Sequence, residues 1–263
     1  MKLNENTAIS TSKVLLVPYD AHHVPQYHHW MEDPAIQEAT ASEPLTLEEE
    51  YENQQSWRTS SDKLTFIVCQ PVPVLPGSSS NGGDSEKDQQ PPIIAGKADA
   101  ADRMVGDINL FLTPWEDDID GADNSTPAPS DRKDYVVGEV DIMIADLANR
   151  GKGLGKAAVS AFLLFIRRNL RAILDEYAAG TGRGVAGKTR RPEMRAFMVK
   201  IKATNVGSMA LFTGLGFVQR GEVNYFGEVE MGLDLLNGLG TAVGDDASGG
   251  YREVIYDRSK LET

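Results

Sequence analysis

The sequence predicts an α/β (α+β) fold, with one mixed sheet of about seven strands flanked by helices. Two observations carry this prediction. Short apolar runs of strand character follow one another in the first half of the chain, and strands alternate with amphipathic helices in the second half. That order is typical of a mixed sheet covered by helices. The chain has 263 residues, of which 41% are hydrophobic, so it can bury one sizeable core.

The strands are predicted from apolar runs bounded by turn residues. The runs are Lys13–Pro18, Leu64–Cys69, Met104–Leu112, Tyr135–Ala145, Arg195–Ile201, Phe217–Arg220 and Tyr225–Leu235. The helices are predicted from apolar residues at three- and four-residue spacing and from capping signals. They are a short helix over Val24–Met31 ended by Asp33-Pro34, a helix opened by the capping box of Thr46 and Glu49, a long helix over Val159–Tyr177, and a short helix over Asn205–Leu215 with Asn205 as its N-cap.

Two polar stretches interrupt this pattern and are predicted to be disordered insertions, at about residues 71–92 and 114–133. Neither holds enough apolar surface to offset its ordering entropy. The sequence thus predicts a single domain over residues 1–237, followed by an acidic, glycine-rich tail over residues 238–263. Within that last segment, Tyr251–Tyr256 is compatible with either a strand or part of the tail.

Composition narrows the function classes. The formal charge of −13 lacks the basic balance of a general nucleic-acid binder. No apolar run approaches the length of a membrane span, and the N-terminus has no signal-peptide core. The one cysteine, Cys69, makes a reducing compartment the default expectation. We therefore expect no nucleic-acid or membrane partner and a cytoplasmic location, with the nucleus also open.

No metal site is predicted. The four histidines, His22, His23, His28 and His29, have no cysteine or tight carboxylate cluster beside them in the sequence. The acidic run Glu116–Asp123 lacks the ligand spacing of a calcium loop. Both groups are expected to be solvated surface positions.

The most informative motif is a glycine-rich loop, Asn149–Lys156, between a strand-like run and the long helix. Three glycines in five residues let the backbone approach a ligand closely and point its N–H groups at it. The following helix places the positive end of its dipole there, and Arg150, Lys152 and Lys156 add positive charge. The loop therefore predicts an anion site suited to a diphosphate.

Two common phosphate-binding motifs fit this loop poorly. A P-loop ending at Gly155 would have Arg150 at its first glycine and Ala157 at its magnesium-binding hydroxyl. A dinucleotide fingerprint fits Gly153, Gly155 and Ala158, but the acidic residue required about twenty positions later falls inside the helix. A nucleoside triphosphatase and a dinucleotide-dependent enzyme are therefore disfavoured.

A third motif fits better. Arg150, Gly153 and Gly155 meet the pattern Q/R-x-x-G-x-G/A, which resembles the acetyl-coenzyme A signature of the GNAT acetyltransferase superfamily. Further stretches resemble the fourth strand and the second signature of that family and the N-terminal segments of its N-acetyltransferase nine-like branch. These stretches are Gly138–Ala145, Asn205–Phe217, Ala41–Glu48, Lys63–Val68 and Met104–Leu112. Together they cover most of the predicted ordered chain.

The resemblance implies a GNAT-like splayed sheet, in which the strand Tyr135–Ala145 separates from the next strand. Acetyl-CoA, the implied co-substrate, would enter the gap between them, and no metal is implied. It implies that backbone groups of Met143, Ile144 and Ala145 pair with the pantetheine arm. It also implies a set of residues around the diphosphate and the far side of the arm. These are Arg150, Gly151, Lys152, Gly153, Leu154, Gly155, Lys156, Asn205 and Ser208.

Acetyl transfer requires a neutral amine. Deprotonating a lysine of pKa about 10.4 costs roughly 4.6 kcal/mol at pH 7, and an α-amine near 8 costs only about 1 kcal/mol. Glu139 is the predicted base, and Asp141 on the same strand face is the second choice. Relatives offer a tyrosine as acid where this chain has Phe212, so Tyr225 is the predicted substitute.

The sequence is compatible with two functions. The first is an acetyl-CoA-dependent N-acetyltransferase whose amine acceptor is a protein α-amine or lysine. The alternative is a catalytically weak or inactive protein of this fold that binds a macromolecular partner. Phe212 in place of a tyrosine favours the alternative, whereas the intact glycine loop favours the enzyme. The sequence leaves the identity of the acceptor and the oligomeric state open.

Overall fold

The computed structural model describes residues 1–72, 91–115, 134–182, 184–185, 188–189, 191–234 and 249–261. Its helices are α1 (Val24–Met31), α2 (Pro34–Thr40), α3 (Leu47–Thr59), α4 (Leu154–Gly180) and α5 (Val206–Thr213). Its strands are β1 (Thr7–Ser10), β2 (Leu15–Pro18), β3 (Lys63–Cys69), β4 (Ile93–Ile94), β5 (Met104–Pro114), β6 (Tyr135–Ile144), β7 (Gly184–Val185), β8 (Lys188–Thr189), β9 (Glu193–Lys202), β10 (Val218–Arg220), β11 (Glu228–Asp234) and β12 (Arg252–Asp257).

Ten of the described strands form one mixed sheet in the order β10-β11-β9-β6-β5-β3-β2-β1-β12-β4, and β7 pairs with β8 separately. Neighbours in the large sheet are antiparallel except for β6 with β9 and β12 with β4. The predicted fold class is confirmed, and each of the seven predicted runs overlaps a strand of this sheet. The predicted strand number is too low because β1, β4 and β12, at one edge, were not counted.

The sheet is buried on both faces. β3 shows this directly, because Phe66 belongs to the core under α4 and Ile67 to the core on the other face. Phe66 packs edge-on against Phe162 and Phe165 of α4, with ring centroids 5.9 and 5.3 Å away. Tyr27 of α1 lies in the opposite core. The periodic pattern predicted for α4 therefore buries one long apolar stripe against the sheet.

The sheet splits at its centre. β6 pairs in parallel with β9 only from Tyr135 to Glu139, although β6 continues to Ile144 and β9 to Lys202. β6 stays paired with β5 over its whole length, and β9 stays paired with β11. The backbone of β6 beyond Glu139 therefore has an open side, which confirms the predicted splay.

Local capping chemistry sets the helix starts. Thr46 and Glu49 form the predicted reciprocal capping box at α3. Asp33, predicted to end α1, also begins α2, because its side chain accepts a hydrogen bond from the Ala35 N–H and Pro34 occupies the first helical position. α2 ends at Ala41, whose φ of 50° lies in the left-handed region.

The segment after residue 237 takes part in the sheet. Arg252–Asp257, inside the segment predicted to be a tail, forms β12 between β1 and β4. Most of both predicted insertions, residues 73–90 and 116–133, lies outside the described residues, as do residues 235–248. Among the residues described, no helix has the length and apolar character needed to cross a membrane.

Candidate active site

A cleft of about 430 Å³ lies where β6 and β9 part. Its walls include Glu139–Met143 of β6, Val199–Lys202 of β9, and Asn205 just before α5. On the α1–α3 side it is bounded by residues 39–42, at the end of α2, and by Trp57 of α3. The cleft therefore connects the gap in the sheet with the face that α1–α3 cover.

The glycine loop leads into the N-terminus of α4. Gly151 and Gly153 have φ values of 72° and 79°, in the region that favours glycine. Gly155 lies against α5, where an added Cβ would stand 3.0 Å from Leu211 Cδ1 and 3.9 Å from Ile144 Cγ1. The loop thus needs glycine both for its turns and for close helix packing. The first N–H groups of α4 have no intrahelical acceptor and are free for an anion.

The predicted cations of the loop divide into two roles. Arg150 donates from Nε to the Ile144 carbonyl at 2.8 Å and from Nη2 to the Ala145 carbonyl at 3.3 Å, so it fixes the loop to the end of β6. Lys152 and Lys156 are exposed beside the helix start. Lys13, from the turn before β2, places Nζ 3.6 Å from the Cβ position at Gly153. Lys13 was not predicted from the sequence because it lies far from the loop along the chain.

The backbone directions on β6 refine the predicted contacts with a pantetheine arm. The Ala145 N–H donates to the Val105 carbonyl at 3.0 Å, so it faces β5 rather than the gap. Backbone groups alternate in direction along a strand, so Met143 also faces β5, whereas Ile142 and Ile144 face the gap. Of the three predicted residues, only Ile144 has backbone groups that face the gap. Met143 lines the cleft with its side chain.

The residues before and within α5 form the far wall of the cleft. Asn205 caps α5, as predicted, by accepting a hydrogen bond from the Ser208 N–H at 3.1 Å. Both residues line the cleft. Phe212 also lines it, is buried, and packs edge-on against Phe217 with ring centroids 5.1 Å apart. The position where relatives were expected to offer a phenol is thus an apolar wall here.

The two predicted catalytic residues have different surroundings. Glu139 lines the cleft, but its Oε2 accepts a hydrogen bond from Lys200 Nζ at 2.8 Å. This hydrogen bond raises the pKa of Lys200 above its ordinary value. Tyr225 lies between β10 and β11, is 98% exposed, and contacts Phe226 edge-on. The structure does not place Tyr225 among the cleft-lining residues, so it offers no support for Tyr225 as the acid.

Two carboxyl groups in the cleft have raised pKa values. Burial, and next the charge of Glu139, raise the pKa of Asp141 to about 6. Asp107 of β5 is 3% exposed, and burial, together with the charge of Asp141, raises its pKa to about 7. Asp107 Oδ2 accepts a hydrogen bond from Asn109 Nδ2 at 2.8 Å, and Asp107 also bonds to Tyr27. Carboxyls with such values can exchange protons near neutral pH.

The sequence analysis missed Asp107, Asn109 and Tyr27. One signal was available: Asp107 and Asn109 alternate within an otherwise apolar run, which places two polar side chains on one face of a buried strand. Buried polar residues of this kind require partners, and a cleft between strands supplies them.

Comparison with known proteins decides the family. Residues 13–218 match the Acetyltransferase (GNAT) domain. The chain is 37% identical over 241 residues to an N-acetyltransferase 9-like protein of Schizosaccharomyces pombe, covering 89% of this chain and 98% of that protein. It is 38% identical over 213 residues to the alpha/beta-tubulin-N-acetyltransferase 9 of Homo sapiens, covering 81% and 82%. The chain belongs to the GNAT acetyltransferase family.

The fold comparison agrees. A GNAT-family acetyltransferase of Bacillus anthracis superposes with a TM-score of 0.50 at 10% identity, covering 86% of this chain and 98% of that one. This similarity shows the fold alone. The family and the curated relatives make this GNAT protein an acetyl-CoA-dependent N-acetyltransferase, and the alternative of an inactive binding protein is set aside.

A second cluster of titratable groups lies outside the cleft of the GNAT domain. His22 and His23 both bring Nε2 within hydrogen-bond distance of Asp99 Oδ2, at 3.1 and 2.9 Å. The Asp20 N–H donates to His23 Nδ1, so the proton of neutral His23 is on Nε2 and is donated to Asp99. A metal ion would need the Nε2 lone pair that this proton occupies. The cluster is therefore a hydrogen-bond network, and it does not fit a metal site.

Proposed function

We propose that this GNAT enzyme acetylates the α-amine of a protein and that Asp141 is the base. The observation that supports this proposal is the position of Asp141. It lies two residues beyond the last pair between β6 and β9, inside the cleft that joins the gap to the α1–α3 face. A thioester in the gap and an amine entering from the α1–α3 face would meet at this place. Glu139, predicted first, is held by Lys200 instead.

The pKa values of the two candidate amines favour an α-amine over a lysine as the acceptor. Proton transfer from an ammonium of pKa about 8 to a carboxylate of pKa about 6 is uphill by about 2.7 kcal/mol. The same transfer from a lysine of pKa about 10.4 is uphill by about 6 kcal/mol. The ammonium would lose one proton to the Asp141 carboxylate, and the neutral nitrogen would form the amide bond as the C–S bond of the thioester breaks. The second proton of the nitrogen would go to the sulfur, so that coenzyme A leaves as the free thiol.

The coenzyme side of the proposal rests on the fit of the loop. The N–H groups of the first turn of α4 would hold the diphosphate, with Lys152 and Lys156 beside it. The gap-facing backbone of Ile142 and the N–H of Ile144, whose carbonyl accepts from Arg150, would pair with the arm, and Asn205 and Ser208 would border its far side. Lys13 is added to the residues of this proposed coenzyme site because its ammonium group lies near Gly153.

The relatives suggest the first acceptor to test. Proteins of Drosophila melanogaster and Homo sapiens, 37% and 38% identical to this chain, carry the name alpha/beta-tubulin-N-acetyltransferase 9. We therefore propose tubulin as the acceptor. Purified enzyme, acetyl-CoA and αβ-tubulin should release free thiol, and mass spectrometry should find the new acetyl group on an N-terminal peptide.

Reactions without acetyl-CoA, and with tubulin whose α-amines are blocked in advance, serve as controls. Acetyl groups found only on lysine side chains would contradict the α-amine assignment. Thiol release with other free N-terminal peptides but not with tubulin would keep the α-amine and remove tubulin.

Lysine 13 provides a separate test of the coenzyme site. Replacing Lys13 by alanine should raise the KM for acetyl-CoA about two- to fivefold at low salt, because an exposed charge contact is worth about 0.2–1 kcal/mol. The effect should shrink at high salt through screening. Lys97→Ala, another exposed lysine, is the matched control. An unchanged KM in Lys13→Ala would remove Lys13 from the site.

A further inference from the structure

The cleft contains a buried oxygen without a partner. Asn109 is 5% exposed and lines the cleft, and its side-chain Oδ1 has no hydrogen-bond partner among the described residues. A buried carbonyl oxygen left without a donor is unfavourable, so such an atom at the wall of a binding cleft indicates a ligand that donates to it.

The orientation of this amide is fixed from the other side. Asn109 Nδ2 donates to Asp107 Oδ2 at 2.8 Å, and Asp107 is also hydrogen-bonded by Tyr27 of α1. Only the NH₂ group of an amide can donate to a carboxylate, so the bond to Asp107 turns Oδ1 away from it. Asp107 therefore acts as a positioning residue for Asn109.

Asn109 stands directly beside the proposed base. In the antiparallel register of β5 and β6, Asn109 is the partner of Asp141. Directly opposite residues on one face bring their Cβ atoms to about 4.5–5.5 Å, so the two side chains are neighbours on the same face of the sheet. Two adjacent acceptors, one of them anionic, match a primary ammonium group, which has three N–H donors.

We propose that Asn109 Oδ1 and the Asp141 carboxylate together form the seat that binds the α-ammonium group of the acceptor. This inference rests on the proposed function, since it places the acceptor nitrogen beside the base. The titratable and charged groups around the seat are Tyr19, Tyr27, Glu50 of α3, Asp107, Glu139, Lys200, Lys202 and Glu228. The cations among them are engaged, because Lys200 pairs with Glu139 and Lys202 with Glu228.

The test measures binding of the acceptor separately from turnover. Calorimetry on the full-length enzyme loaded with coenzyme A compares a peptide of the α-tubulin N-terminus with its Nα-acetylated form. The wild type should prefer the free amine by about tenfold or more, and Asn109→Ala should weaken binding of the free peptide about ten- to hundredfold, with the KM for acetyl-CoA unchanged. Asn109→Leu, which keeps the side-chain size, is the second variant and should behave alike.

Thr65→Val is the matched control. Thr65 pairs with Asn109 across β3 and β5 and also has a buried hydroxyl without a partner, but it does not line the cleft. Its loss should leave peptide binding unchanged. Unaltered peptide binding in both Asn109 variants would overturn the seat, even if Asp141→Asn abolishes turnover. If the Asn109 variants weaken only the binding of coenzyme A, Asn109 belongs to the coenzyme site instead. If the wild type binds the free and the acetylated peptide equally, both the seat and the α-amine acceptor are wrong.

Discussion

Replacing Asp141 by asparagine should lower kcat about a hundred- to ten-thousandfold at pH 7, the range expected for loss of a general base. The loss should be much smaller at pH 9, where an α-amine of pKa about 8 is already mostly neutral. In the wild type, activity should fall as the pH drops through about 6, because Asp141 is a base only when ionised. In the variant the acid limb should lie at about pH 8 instead, because without a base the rate follows the neutral fraction of the amine, and pH–rate profiles with the acceptor peptide would show this difference.

Glu139→Gln is the matched comparison for this prediction. Glu139 lies on the same face of β6, but its carboxylate is already engaged by Lys200 at 2.8 Å. The variant should therefore retain most of the activity of the wild type. Equal loss at pH 7 and pH 9 in Asp141→Asn would indicate a binding or structural role. A large pH-dependent loss in Glu139→Gln alone would restore the original choice of base.

Local sequence signals predicted the backbone conformation of the glycine loop and the cap of α5. The glycines with left-handed φ at 151 and 153 closely follow the strand that precedes the loop, and the Asn205 cap of α5 involves only residues of its own first turn. The helix caps of α3 and α5 were found for the same reason. A pattern that depends on neighbours within a few residues can be read from one sequence.

The proposed acceptor side of the cleft depends on pairing between distant segments. Asn109 meets Asp141 only through the β5–β6 register, and Tyr27 reaches Asp107 only because α1 packs on that face of the sheet. Which of the two carboxylates, Glu139 or Asp141, pairs with Lys200 of β9 also depends on the position of Lys200, which cannot be predicted from the sequence alone. Composition misled us for residues 252–257, because a glycine-rich, acidic surrounding concealed a strand whose partners are at the other end of the chain.

Replacing Tyr256 of β12 by alanine should destabilise the protein strongly, although it lies in the segment predicted to be a tail. Tyr256 is 2% exposed, and its hydroxyl donates to Asp99. Burial alone would raise the pKa of Asp99, but its hydrogen bonds from His22, His23 and Tyr256 hold that pKa well below its ordinary value. The variant removes a large buried ring and one of these donors.

The expected loss is about 3–5 kcal/mol in the free energy of unfolding, as for other buried aromatic residues changed to alanine. Denaturant unfolding followed by circular dichroism would measure it. Ile255→Ala is the control in the same strand, because Ile255 is 68% exposed and surface changes usually stay within about 0.5 kcal/mol. If β12 links the edge of the sheet to the residues that precede α1, only Tyr256→Ala should lower the free energy of unfolding. Equal, small effects of the two variants would mean that β12 behaves as the tail that composition predicts.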